Sequence, residues 1–331
     1  MVPTKPLHLF YEEPDSDRWF PGDRHPRRII RRILRGKPQP GGVMRWFLNL
    51  KAGIDQLGLP YKVNDYRSLR RTPGAVAYVV GKPHVIDLIP PGHPIIYGPG
   101  IAAHPYESDF WDREEMALVI ISCDWFKAMY DRDLPRAIPT AVWPAGIDTD
   151  LWSPPTAPRS GKVLVYDKIR WRQVEYDTEL VQPIIERLRA DGREVVHLRY
   201  GHYREEDFCR LLKEVSAMVF LCEHETQGFA YLQTLSSGVP ILAWDRGGFW
   251  QDPSMYPQRV RFSPVTSVPY FDERCGVKFA DLPGFKSAVG EFFEQVNAGT
   301  FRPRDYVVEN FGLAARAREY LNLAAPFISN P

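Results

Sequence analysis

The sequence has little of what would classify it at a glance. It holds only four cysteines, Cys123, Cys209, Cys222 and Cys275, and no C-x-x-C pair. A zinc framework or a disulfide scaffold is therefore not expected, and the four read as buried thiols of a reducing compartment. No apolar run reaches the roughly 18 residues of a membrane span. Met1 to Lys5, followed by Pro6, lacks an apolar signal region, so the cytoplasm is the expected location. Excess charge is also missing: 42 lysines and arginines against 41 aspartates and glutamates leave a net charge of +1. That balance argues against histone-like or tail-driven binding to nucleic acid, and no nucleic-acid partner is expected. No short internal repeat and no low-complexity tract is present.

What is present describes a globular protein. Apolar residues make up 44% and charged residues 25%, which excludes wholesale disorder. The 331 residues suit two domains of about 150 each. The 31 prolines and 9 tryptophans fit loop-rich domains with aromatic-lined clefts.

Short apolar runs alternate with helical patterns. Strands are expected at 7–11, 61–63, 75–80, 94–97, 118–122 and 138–143, and helices at 43–57 and 125–130. Ser153 to Gly161, rich in proline, serine and glycine, reads as a linker. The alternation then restarts, with strands at 162–166, 195–199, 217–222 and 241–244. The matching helices are expected at 179–190, 205–215, 229–236, 285–296 and 313–323. Strands alternating with helices imply parallel βαβ units. The expectation is an α/β chain of two Rossmann-like, doubly wound domains, 1–152 and 153–331, facing each other across a cleft. The last helix is a candidate to pack back on the first domain.

The neutral total hides one asymmetry. From Arg24 to Lys37 the chain carries Arg24, Arg27, Arg28, Arg31, Arg32, Arg35 and Lys37 with no acid among them. Ile29, Ile30, Ile33 and Leu34 recur at helical spacing. Such a cationic amphipathic segment either lies on an anionic membrane surface or is a surface helix whose arginines meet acids elsewhere in the fold.

The most informative segment runs from Val219 to Gly248. A buried strand ends in Glu223-His224-Glu225, a turn follows at Thr226-Gln227-Gly228, and a helix opens at Phe229 and stops at Gly238. The free N–H groups of that helix favour an anion, while Glu225 is suited to accept hydrogen bonds from sugar hydroxyls. This segment resembles the donor-binding signature of the retaining GT-B glycosyltransferases of the "group 1" (glycosyltransferase family 4-like) family. In that signature an acid is followed after seven residues by a second acid, then by Gly-x-Pro. Here the pattern reads Glu225, seven residues, Gln233, then Gly238-Val239-Pro240. Gln233 departs from it, although its carbonyl can still bond a ribose. Trp143 to Trp152 resembles the family's hinge turn, with Ala145 in place of the usual asparagine. Gly41-Gly42 resembles its glycine-rich N-terminal turn, Ile120 to Trp125 a strand-to-helix step, and Arg304 to Tyr320 its closing helices.

The resemblance implies a GT-B fold and transfer of a sugar from a UDP- or GDP-sugar, with retention and without a required metal or other cofactor. The acceptor would be a hydroxyl of a glycan, lipid-linked or lipopolysaccharide-type molecule. It implies Glu225 at the donor sugar and Gln233 at the ribose. Lys168 and Arg172 would hold the diphosphate, with Arg170 a weaker candidate for the second cation. Thr226, Gln227, Gly228 and Phe229 would lie at the helix mouth, and Gly41 and Gly42 in the first domain. Separately from the resemblance, the charge of Arg24 to Lys37 would hold the enzyme at the inner membrane face.

Three further features carry weaker signals. Tyr203, beside His202, follows a strand and is a candidate for the base or ribose. Gly98-Pro99-Gly100-Ile101-Ala102-Ala103 matches a dinucleotide fingerprint, but His104-Pro105 breaks the expected helix and no acid follows at the right distance. That loop fits the acceptor side better, with His104 either a proton shuttle or a structural histidine. The alternatives to a transferase are a sugar-nucleotide epimerase or other GT-B-like enzyme, and a non-catalytic sugar- or anion-binding module. Gln233 and Asp167-Lys168, where the family has Gly-Arg, favour the last.

Overall fold

A computed structural model describes residues 5–14, 41–100, 104–107 and 109–328. The basic stretch from Arg24 to Lys37 and Ile101 to Ala103 of the glycine loop lie outside the described residues. The chain divides into two compact units: 1–121 with 130–143 and 316–331, and 122–129 with 144–315. The proline-rich stretch at 153–161 falls inside the second unit.

The first unit holds a six-stranded sheet. Its strands are β1 (Leu7–Phe10), β2 (Tyr61–Val63), β3 (Ala77–Val79), β4 (Ile95–Tyr97), β5 (Met116–Ile121) and β6 (Thr140–Val142), in the order β2-β1-β3-β4-β5-β6. Every pairing is parallel. β3, β4 and most of β5 are fully buried, as expected for strands covered on both faces. The helix Gly42–Gln56 follows β1 and buries Trp46, Phe47, Leu50 and Ile54 at helical spacing. At Gly98, after β4, an added Cβ would lie 2.1 Å from the Ile120 carbonyl oxygen. That glycine serves close packing of two strand ends, not a dinucleotide.

The second unit holds β7 (Lys162–Asp167), β8 (Val195–Arg199), β9 (Val215–Leu221), β10 (Ile241–Trp244) and β11 (Gly276–Phe279), in the order β11-β10-β9-β7-β8. All pairings are again parallel. Alternate residues face opposite layers, as the two-residue period of a strand requires. Leu164, Tyr166, Met218, Phe220 and Ile241 join one core with Phe208, Leu232, Leu235 and Phe311. Val163, Val165, Val219, Leu221 and Leu242 join the other with Ile184, Leu188, Phe285 and Phe292. Helices thus cover both faces, which is the doubly wound arrangement. In each sheet the strand order reverses beside the first strand. The second sheet's switch point lies between β7 and β9, where ligands of open α/β sheets bind.

Several element bounds differ from the sequence expectation. The helix expected from Glu179 begins at Gln173 and includes a π-helical stretch, Asp177–Val181, before Gln182–Ala190. Pro183 has no N–H to donate to the preceding turn, which accounts for the irregular stretch. The helix expected to reach Val215 stops at Leu211, and Val215 opens β9. The four-residue edge strand β11 was not anticipated; it is short and carries a glycine and a lysine. Among the described residues no helix is long and apolar enough to cross a membrane.

Candidate functional site

The switch point of the second sheet gathers the titratable groups of two loops. Backbone pairing of the β7 and β9 strands extends to Lys168, whose N–H donates to Leu221 O at 2.8 Å. Beyond it the chain leaves the sheet, and two buried carboxylates fix its course. Asp167 accepts from Ile169 N at 3.0 Å. Glu223, only 3% exposed, accepts from Arg170 N at 2.8 Å and Trp171 N at 2.6 Å through one oxygen, Oε1. Arg172 then turns the backbone into left-handed geometry at φ 48° and starts the helix Gln173–Tyr176.

From this loop Lys168 reaches back across the sheet end to Glu225. Its ammonium pairs with Glu225 Oε1, with side-chain exposures of 15% and 10%, and stands 4.6 Å from the centre of the Tyr200 ring. Burial works to lower the lysine's pKa, but the Glu225 carboxylate, with Cys222 and Tyr200, raises it overall. The ammonium therefore stays charged. Glu225 is held from the backbone as well: its N–H donates to Thr266 O at 3.0 Å, and its carbonyl accepts from Trp125 Nε1 at 2.9 Å. The Cys222 thiol lies 3.8 Å from Glu225 Oε1, and burial holds its pKa far above the ordinary value, so it is a neutral neighbour.

The helix Phe229–Ser236 begins beside this pair. Its N-cap, Gly228, takes left-handed geometry at φ 71°. A Cβ there would fall 1.8 Å from Tyr231 Cε1, so only glycine fits. The helix start thus carries no side-chain cap, and its dipole and first amides face the end of the sheet. Gln233, one turn on, is 6% exposed. Its side-chain amide has no hydrogen-bond partner among the described residues.

The residues expected at the site divide into three groups. Lys168, Arg170, Arg172, Glu225, Thr226 and Gly228 lie on the two loops at the switch point, and Phe229 opens the helix that follows the second. Within that set, Arg172 is half exposed and pairs with Glu175 at 3.3 Å, not with Glu225. Gln227 and Tyr203 belong to packing. Gln227 is buried and accepts from Ala145 N at 2.9 Å, tying the expected hinge turn to the helix start. Tyr203 shares a 2.6 Å hydrogen bond with the Tyr166 hydroxyl and packs on the second sheet's core.

The remaining candidates are in the first unit. Gly41 caps the helix Gly42–Gln56, and among the described residues no atom lies within 4 Å of the Cβ position of Gly41 or Gly42. His104 is fully buried. Nε2 meets Asp133 Oδ2 at 2.7 Å, and Nδ1 accepts from Tyr106 N at 3.2 Å. Burial lowers its pKa, and the opposing pull of Asp133 does not restore it. With both nitrogens engaged and no exposure, this is a structural histidine, not a proton shuttle.

Glu223 is the buried acid at this switch point that the sequence reading passed over. Its signal was available: an acid at the carboxyl end of an all-apolar strand must find donors there.

Both sheets, their parallel pairings and their strand orders define a GT-B fold of two Rossmann-like units. Solved glycosyltransferases share it. The pneumococcal O-GlcNAc transferase GtfA, in complex with UDP and GlcNAc, superposes with a TM-score of 0.53 at 11% identity, covering 80% of this chain and 59% of that one. A mutant of S. aureus TarM, in complex with fondaparinux, alpha-GlcNAc-glycerol and UDP, gives 0.52 at 11% identity, covering 80% and 58%. The GtfA/B complex gives 0.50 at 15% identity, covering 80% and 59%. This chain thus spans less than two thirds of the length of these proteins. No family model matches the chain, and no curated protein does.

Proposed function

We propose that the chain is a glycosyltransferase whose second unit binds a nucleotide-diphospho-sugar. One observation carries the reading: a buried lysine–glutamate pair at the switch point of a parallel sheet, beside an uncapped helix N-terminus. An ammonium and a helix start suit a diphosphate. The adjoining carboxylate suits sugar hydroxyls, and the unbonded Gln233 amide suits a ribose. The UDP in the two neighbouring structures makes UDP-sugars the first donors to test, with GDP-sugars second.

In the reaction an acceptor hydroxyl oxygen bonds to the anomeric carbon of the donor. The bond from that carbon to the diphosphate oxygen breaks, and the departing diphosphate takes the hydroxyl proton. Attack from the leaving-group side retains the anomeric configuration. Lys168, with the helix start at Gly228, stabilises the growing charge, and Glu225 orients the sugar. Arg170 and Arg172 on the same loop add positive field. No metal or cofactor is assigned a part, and His104 has none. The acceptor is a glycan or lipid-linked hydroxyl, and Arg24 to Lys37 places the enzyme on the cytoplasmic, anionic face of a membrane.

Donor hydrolysis tests the reading. The wild type should hydrolyse at least one UDP- or GDP-sugar, and Glu225→Ala should lower the rate by about a hundredfold or more. A second reading, a non-catalytic sugar- or anion-binding module, is favoured by the neutralisation of Lys168 by Glu225. It predicts that a nucleotide sugar raises the melting temperature while neither protein turns any donor over.

A further inference from the structure

We propose that Glu223 is a positioning residue: its carboxylate is a built-in anion that shapes the 168–172 loop so that Lys168 can receive a diphosphate. The ligand in this statement rests on the proposed function; the loop geometry does not. Two successive amides, at Arg170 and Trp171, aim at one oxygen of Glu223, and the left-handed turn at Arg172 follows directly. Such converging amides form a concavity that accepts an anion. Here the anion comes from the chain itself, at the end of the neighbouring strand. A buried carboxylate needs partners of this kind, and hydrogen bonds to a charged acceptor are short and strong. Glu223 therefore couples the ends of β7 and β9 at the point where Lys168 leaves one strand and Glu225 follows the other. Its single accepting oxygen sets the shape, so an amide carbonyl in the same place should keep the loop's course through weaker hydrogen bonds.

Three forms of the full chain decide this: wild type, Glu223→Gln and Glu223→Leu, all below their melting temperatures. Two quantities are measured, amide hydrogen exchange across 168–172 and affinity for UDP. The glutamine form should keep slow exchange and bind UDP within about threefold of wild type. The leucine form should exchange faster at Arg170 and Trp171 and bind UDP about tenfold or more weakly. If the leucine form does not fold, Glu223→Asp, which keeps the charge but withdraws the oxygen, should show the same loss. Tighter UDP binding by the leucine form would mean that Glu223 competes with the ligand, and would overturn the proposal. So would unchanged exchange, equal damage by glutamine and leucine, or a lower melting temperature with unaltered UDP affinity. If wild type binds neither UDP nor GDP, the proposed function fails, and the exchange comparison alone decides the role of Glu223.

Discussion

At the scale of single residues, the Lys168–Glu225 pair sets the energetics of the site. Each ion is largely removed from water, so removing one partner leaves the other buried and unpaired. Lys168→Met should cost about 3–5 kcal/mol in a urea titration. The double variant Lys168→Met/Glu225→Leu should cost less than the sum of the two single losses. An additive result would mean that the pair is not coupled. His224, one residue away, makes a pH prediction. It is buried among Trp125 and Trp250, Nε2 donates to Gln251 O, and burial lowers its pKa to about 4. The unfolded chain takes up the proton near the ordinary value of 6.5, before the folded one does. The stability from this residue is therefore complete above pH 6.5 and is lost as pH falls toward 4, by about 3 kcal/mol in all. His224→Gln should flatten the stability profile across that window, as urea midpoints at several pH values would show.

At the scale of elements, the helix Phe229–Ser236 depends on its glycine start. Gly228→Ala meets both a left-handed backbone and the Tyr231 ring. It should cost about 1–3 kcal/mol and weaken UDP binding together, the first read by denaturation and the second by calorimetry. This helix was legible in the sequence because Gly228 and Gly238 bracket a short apolar run. Strands β7, β9 and β10 were legible because each is a largely buried apolar run of the kind that parallel sheets need, and the half-exposed edge strand β8 through its paired valines. β11 was not, since its exposed Lys278 and glycine start break any such run. The π stretch was invisible because periodicity continues across it, and only Pro183 hints at the change. The same contrast runs through the site. Glu225 and Lys168 were found through a motif resemblance, whereas the burial of His104 beside Asp133 and the bond of the half-buried Tyr203 to Tyr166 join residues far apart in sequence.

At the scale of the molecule, the near-zero charge conceals a division of labour. The charged pair at the switch point belongs wholly to the second unit, and the first unit is held by an aromatic set. Tyr320, on the helix Leu313–Ala324, is fully buried. Its ring lies 4.8 Å from Trp143 and 6.0 Å from Tyr78, and its hydroxyl donates to Gly98 O at 3.2 Å. Tyr320→Ala should therefore cost about 3–5 kcal/mol of the first unit's stability, seen as a lower urea midpoint by tryptophan fluorescence.

That placement of Tyr320 has a temporal side. A ribosome delivers the chain from one end, and domains generally fold as they emerge. The first unit includes β1 but is completed by residues 316–331, which are made after every residue of the second unit. The second unit, whose final segment ends at residue 315, can close sooner. Of the two units, the one that starts earlier is thus the one that finishes later, and until Tyr320 arrives, Trp143 and Tyr78 lack the ring that covers them.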